Sequence, residues 1–173
     1  DAHVLVGADG RDGGIPVNNA TMFTPPAPQS PRMQMYLFKD TGQGYVSGHA
    51  SDDASIVHHE HAHGMIERLV TDPQGWGALT LRQSKALDEG VADVYALDYL
   101  VGEGLVDDTA APGEVRMAPF LDPKRKARTQ PIDCPVSAPA APCKGGYTYG
   151  DLGRVDAAGP EEHADGEVIA QTL

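Results

Sequence analysis

Apolar residues fall into a few periodic stretches along this chain, separated by long segments rich in glycine and proline. Residues 1–31 are punctuated by Asp9-Gly10, Gly13-Gly14, Asn18-Asn19 and Pro25-Pro26, a pattern that predicts an irregular entry dominated by turns. From Arg32 to Phe38 polar and apolar positions alternate and then become apolar throughout, which predicts a strand followed by a turn-like stretch over 42–48. Ser51-Asp52-Asp53 offers helix-capping side chains, and Ile56, Val57, Ile66, Leu69 and Val70 mark a helix from Ala54 to about Val70 that stops before Asp72-Pro73. A second helix is predicted over 84–101, with Leu87, Val91, Val94, Leu97 and Val101 at helical spacing and Gly102 and Gly104 as its stop. Residues 103–159 show no helical pattern. Pro160 to Leu173 starts like a helix, with Glu161 and Glu162 in its first turn and Val168, Ile169 and Leu173 on one face. No stop signal follows, so the expectation is a chain that ends inside an element of a larger domain.

Composition narrows the function classes. In 173 residues there are 13 basic and 25 acidic side chains, a formal charge of −12, which argues against a nucleic-acid partner because phosphate affinity rests on Lys/Arg stripes. The basic run Lys124-Arg125-Lys126-Ala127-Arg128 reads as a solvated loop on an acidic protein. No segment has the 18 or so apolar residues of a membrane span, and no leader-like segment opens the chain. Cys134 and Cys143 flank a Pro/Ala-rich stretch; they could staple a surface loop in an oxidising compartment or remain two free thiols. A zinc ribbon is excluded for want of a second pair. Asp9 and Asp12 have the residue type for calcium but not the EF-hand spacing, so Ca²⁺ has no support beyond that.

The informative stretch is His58-His59-Glu60-His61-Ala62-His63-Gly64, which contains His-Glu-x-x-His on the first helix. On a helix, His59 and His63 lie one turn apart on one face, where both imidazoles can reach one Zn²⁺ at about 2.0–2.1 Å. Glu60 lies about 100° further round, beside the metal, placed to take a proton from zinc-bound water and pass it to a leaving amine. A third ligand is needed. Glu89 in the second helix can supply it, and Asp93, one turn later on the same face, can accept the outer N–H of a ligand imidazole and fix its tautomer. His58 and His61 have no histidine four residues away and are read as non-ligands.

With those residues in view, His59-Glu60-His61-Ala62-His63-Gly64-Met65-Ile66-Glu67-Arg68-Leu69 resembles the motif helix of the fungalysin zinc metallopeptidases, His-Glu-x-x-His-Gly followed by Arg-Leu. Asn18-Asn19-Ala20 with Thr24-Pro25-Pro26 and Pro31 to Leu37 is similar to the family's stretch before that helix. Asp88-Glu89-Gly90-Val91-Ala92-Asp93 resembles its Gly-Glu-Gly-Trp-Ser-Asp ligand motif, and Glu162 to Val168 its Val-His-Ala-x-Gly-Glu-Val segment. Arg128-Thr129-Gln130-Pro131 through Gly150 looks most like bacterial, especially actinobacterial, members. Departures are Asp88 for the leading Gly, Val91-Ala92 for Trp-Ser, and His61 where Tyr or Asn is usual.

The resemblance implies a secreted endopeptidase of the thermolysin-like class, made with an inhibitory propeptide and acting on polypeptides, with no nucleic-acid or membrane partner. By carry-over His59, His63 and Glu89 bind one Zn²⁺, Glu60 is the general base and Asp93 supports a ligand. His163 stabilises the tetrahedral oxyanion, and Asn19 and Ala20 lie on the edge strand that pairs with substrate backbone. The expected fold is α+β: a zincin-like metallopeptidase core with a small N-terminal strand region and active-site helices, truncated at both ends. Residues 1–173 form a single partial domain, 1–50 its strand/loop region and 51–173 its helical zinc-site region. The alternative is a catalytically inactive zinc-binding fragment or interaction module of the same fold.

Overall fold

A computed structural model describes residues 17–40, 42, 44–124, 127–137 and 141–173, and the backbone of 2–6. Asp9 and Asp12, the residues considered for calcium, lie outside the described residues. Among the described residues the chain is a mixed α/β protein with a small sheet and three α-helices, divided into two compact units: Asp1–Ala78 with Ala118–Lys126, and Leu79–Met117 with Ala127–Leu173.

The first unit is built on the predicted strand, here β3 (Arg32–Phe38), the centre of the sheet. β1 (Ala2–Val6) pairs parallel with it, Ala2 opposite Met33 and Val6 opposite Tyr36. β2 (Ala20–Phe23) pairs antiparallel on the other side, from Ala20 opposite Met35 to Phe23 opposite Arg32. The short β4 (Gly48–His49) pairs antiparallel with the end of β3. Two strands therefore stand where residues 1–31 were expected to be irregular. The difference is physical: four- and five-residue strands have too few positions to carry a period, and β3, which satisfies their backbone groups, is distant in sequence. Asn18 makes the entry to β2 possible by adopting φ 58°, a region asparagine tolerates, while donating its N–H to the Leu37 carbonyl at 2.9 Å.

Helix α1 (Ala54–Leu69) starts where its cap predicts. Asp53 is 2% exposed, and its Oδ1 accepts the Ser55 N–H at 3.1 Å and the Ser55 hydroxyl at 2.7 Å. Its Oδ2 accepts the N–H groups of Phe120 (2.9 Å) and Leu121 (3.3 Å), so one carboxylate starts the helix and anchors the 118–122 turn. Ser51 and Asp52 belong instead to a single 3₁₀ turn, Ala50–Asp52. The predicted apolar stripe holds at Ile56 but not at Leu69, which is 83% exposed. The buried face of α1 carries His59, Glu60, Ala62 and Gly64 instead.

The second unit holds α2 (Arg82–Gly102) and α3 (Glu162–Ala170). α2 begins two residues before Ser84 because Ser84 Oγ reaches back to the Leu81 N–H (3.0 Å) rather than occupying the cap itself. It stops at its glycines as expected, with Gly104 in the left-handed region (φ 69°) and its N–H on the Val101 carbonyl. The predicted stripe is rotated: Leu87 is exposed, and Ala86, Gly90, Asp93, Leu97 and Leu100 are buried. Small residues are required there because α3 comes very close. A Cβ on Gly90 would lie 2.6 Å from the Gly166 carbonyl oxygen, and one on Gly166 would lie 2.8 Å from Glu89 Cβ.

Ala96, Leu97, Val115 and Met117 form an apolar core, with Val101, Val106 and Ile132 packed against it. Between α2 and α3 the described residues contain one 3₁₀ turn, Tyr149–Asp151, and otherwise ordered loops held by side-chain bonds to backbone. Asp133, for example, accepts the N–H groups of Gly113, Glu114 and Val115. Cys134 and Cys143 are joined, which settles the open choice in favour of a loop staple. α3 ends at Ala170 rather than running to the end of the chain, and Leu173 is 73% exposed. Among the described residues no helix is long and apolar enough to cross a membrane.

Candidate metal centre and active site

On α1 the four-residue spacing does what helical geometry requires. His59 Nε2 and His63 Nε2 approach to 3.0 Å, with the rings nearly perpendicular at 88°. Two nitrogens each about 2.0–2.1 Å from one tetrahedral ion would be about 3.3 Å apart, so the pair fits a common cation with little adjustment. His59 is buried and His63 half-buried. Glu60 is also buried, a carboxylate next in sequence to the inner histidine. His61 is exposed, and His58 is half-buried with its pKa lowered by burial and by repulsion from His61. The following Gly64 lets β2 close on the helix: a Cβ there would lie 2.6 Å from Met22 Cε. Asn19 immediately precedes β2 and Ala20 opens it, and β2 is an edge strand of the sheet among the described residues.

In the second unit, α2 carries Glu89 and Asp93 one turn apart, as the spacing predicts. A partner they share was not anticipated. Arg128 donates from Nε to Asp93 Oδ2 at 2.6 Å and from Nη2 to Asp93 Oδ1 at 2.9 Å, and its Nη2 is 3.6 Å from Glu89 Oε2. The solvated-loop reading of the basic run therefore fails at Arg128, whose side chain is 13% exposed, while Lys124 is exposed; Arg125 and Lys126 lie outside the described residues. Burial alone would lower the Arg128 pKa, but Asp93, by charge and hydrogen bonds, and the charges of Glu89 and Glu167 outweigh it and hold the guanidinium protonated.

Behind Arg128, Thr129 clamps onto α3: Glu167 accepts its N–H at 2.8 Å and its hydroxyl at 2.7 Å. Thr129 Oγ1 also meets the Tyr147 hydroxyl. Burial raises the Glu167 pKa, only partly offset by the Thr129 hydrogen bonds and the Arg128 charge. Arg128, Thr129 and Glu167 were missed as site residues because their partners are far away in sequence. The available signal was charge accounting: two carboxylates on one helix face that is brought into the interior call for a cation, although the sequence does not say which of the 13 basic residues supplies it.

His163 stands in the first turn of α3, about half exposed, with carboxylates at both ring nitrogens. Nδ1 lies 2.5 Å from Glu161 Oε1 and Nε2 lies 3.5 Å from Glu89 Oε1. Glu161 is also the N-cap of α3, accepting the Ala164 N–H at 2.9 Å. Burial would raise its pKa, but the bonds from His163 and the Ala164 amide bring it below the ordinary 4.5. A depressed carboxylate contributes its stability above the unfolded value and loses it as pH falls through the folded one. Glu161→Gln is therefore expected to cost about 1 kcal/mol at pH 7, with the difference from wild type shrinking below pH 4.5, in urea unfolding followed from pH 7 to pH 3. Parallel profiles would show that Glu161 contributes nothing as a charged cap.

The sequence profile described as Fungalysin metallopeptidase (M36) matches residues 2–173. "Extracellular metalloproteinase MEP" of Leptosphaeria maculans is 41% identical over 92 residues, covering 53% of this chain and 14% of that protein. "Extracellular metalloproteinase mep" of Aspergillus flavus is 30% identical over 172 residues, covering 92% of this chain and 23% of that protein. "Extracellular metalloproteinase 2" of Phaeosphaeria nodorum is 34% identical over 111 residues, covering 64% and 16%. The chain thus spans less than a quarter of each of these relatives. The expected bacterial, actinobacterial character is not borne out, since these relatives are fungal. The extent of the profile match and the metallopeptidase motif on α1 agree: the chain belongs to the fungalysin family of metallopeptidases.

Proposed function

We propose that this chain is the zinc-binding part of a zincin-type catalytic domain, and that the protein is an extracellular endopeptidase. Residues 1–173 would form one partial domain, with 1–50 its strand region and 51–173 its helical region, preceded in the precursor by an inhibitory propeptide. The observation that carries the reading is the 3.0 Å convergence of His59 and His63 Nε2 on one face of α1, beside buried Glu60. The Cys134–Cys143 bond suits an oxidising, extracellular compartment.

In this reading His59, His63 and Glu89 hold Zn²⁺, which when bound supplies a Lewis acid for water and for the scissile carbonyl. Glu60 takes one proton from the attacking water as its oxygen bonds to the carbonyl carbon. The same carboxyl group then gives that proton to the amide nitrogen as the carbon–nitrogen bond breaks. His163 donates an N–H to the oxyanion, its ring oriented by the Glu161 bond at Nδ1. Asp93, one turn after Glu89 on α2, accepts the outer N–H of a ligand imidazole. The backbone of Asn19 and Ala20 pairs with an extended polypeptide, adding a strand at the β2 edge.

Glu60→Gln is expected to keep zinc and to lower casein-type hydrolysis by about 10²–10⁴-fold, and 1,10-phenanthroline is expected to abolish wild-type turnover. A variant as active as wild type would remove Glu60 from the mechanism. Zinc held without turnover in either protein would favour the inactive zinc-binding fragment.

A further inference from the structure

The second unit fixes more than a ligand residue; it fixes how that ligand's carboxylate is turned. Glu89 and Asp93 are like charges one helical turn apart, an arrangement that by itself drives the longer side chain away. Arg128 counters this from one side, with two hydrogen bonds to Asp93 and its Nη2 3.6 Å from Glu89 Oε2. The other oxygen of Glu89, Oε1, lies 3.5 Å from His163 Nε2, so the two oxygens have different neighbours.

Arg128 is itself held from several directions. Nη1 donates to the Ala127 carbonyl at 2.8 Å, the fork is engaged by Asp93, and the next residue, Thr129, is bonded twice to Glu167 on α3. A planar guanidinium so fixed is a rigid reference point, which a flexible ammonium would not provide. Its backbone comes from a loop, while its partners come from α2, so it ties the loop to the helix that bears the ligand.

We propose that Arg128 is a positioning residue for the metal site, setting the orientation in which Glu89 presents its carboxylate to zinc. The inference rests on the reading of Glu89 as the third ligand.

The test is zinc affinity of the metal-free full chain, measured by competition with a chromophoric chelator for wild type, Arg128→Gln, Arg128→Lys, Glu89→Gln and the Arg128→Gln/Glu89→Gln double variant. Arg128→Gln is expected to weaken zinc binding by about 10–100-fold, the range for partners that orient a ligand. Arg128→Lys, which keeps the charge but not the fork, should recover part of that loss and remains informative if the glutamine variant folds poorly. Because Arg128 acts through Glu89, adding Arg128→Gln to Glu89→Gln should weaken binding little further. The Co²⁺-loaded Arg128→Gln protein should show a visible spectrum shifted toward that of Glu89→Gln. Wild-type affinity in Arg128→Gln, or full additivity in the double variant, would overturn the proposal while leaving Glu89 as a ligand. Zinc binding unchanged by Glu89→Gln would instead overturn the ligand reading beneath it.

Discussion

Alanine at Gly90 is expected to destabilise the protein by about 2–4 kcal/mol, although alanine ordinarily favours a helix over glycine by about 1 kcal/mol. The sign is decided by what the new methyl group would meet. A Cβ there would lie 2.6 Å from the Gly166 carbonyl oxygen, 2.8 Å from Ile169 Cβ and 3.1 Å from the Ala170 nitrogen. These are backbone atoms and the root of a side chain, so no rotamer change relieves the clash; α3 must move away from α2. Since Gly166 in turn lies against Glu89, that movement disturbs the proposed ligand as well, and zinc affinity should fall with stability. Gly102→Ala, where nothing lies within 4 Å, is the control and should be neutral or slightly stabilising. Urea unfolding of both variants checks the pair, and equal stability of Gly90→Ala and wild type would show that the α2–α3 contact is looser than described.

Removing the Asp53 carboxylate should have an effect of similar or larger size, about 3–5 kcal/mol for Asp53→Ala. Four donors would lose their acceptor at once: the Ser55 N–H and hydroxyl at the start of α1, and the Phe120 and Leu121 amides. Ser55 Oγ also accepts the Ala118 N–H at 2.8 Å, so the loss spreads through both ends of the 118–122 turn. Asp53→Asn keeps an acceptor for the helix cap but turns a donor toward Phe120 and Leu121, and should fall in between. Hydrogen exchange would show the first turn of α1, one turn before His59, opening first. A variant with wild-type melting behaviour would mean that water replaces the carboxylate at little cost.

Local features of the helices were legible in the sequence. The start of α1 was readable because its cap is local, two residues from the amide it binds, and His-Glu-x-x-His was readable because helix geometry alone brings its two imidazoles together. The end of α2 was readable from glycine. What escaped was non-local. β1 and β2 exist through β3, the α2 face turned to Ala86 and Gly90 because α3 needs small residues there, and Arg128 left its basic run for a carboxylate pair far upstream in sequence. Periodicity placed Leu69 among the apolar positions of one helix and Leu173 on the apolar face of another, yet both are exposed, since an apolar face buries only where another element covers it.

The central claim is a zinc ion held by His59, His63 and Glu89, and zinc-edge X-ray absorption on the full chain with metal analysis tests it most directly. The account predicts one zinc per chain with two imidazole nitrogens at about 2.0–2.1 Å and a carboxylate oxygen that Glu89→Gln alters. Absence of zinc, or a zinc whose coordination is unchanged by Glu89→Gln and by His63→Ala, would contradict it.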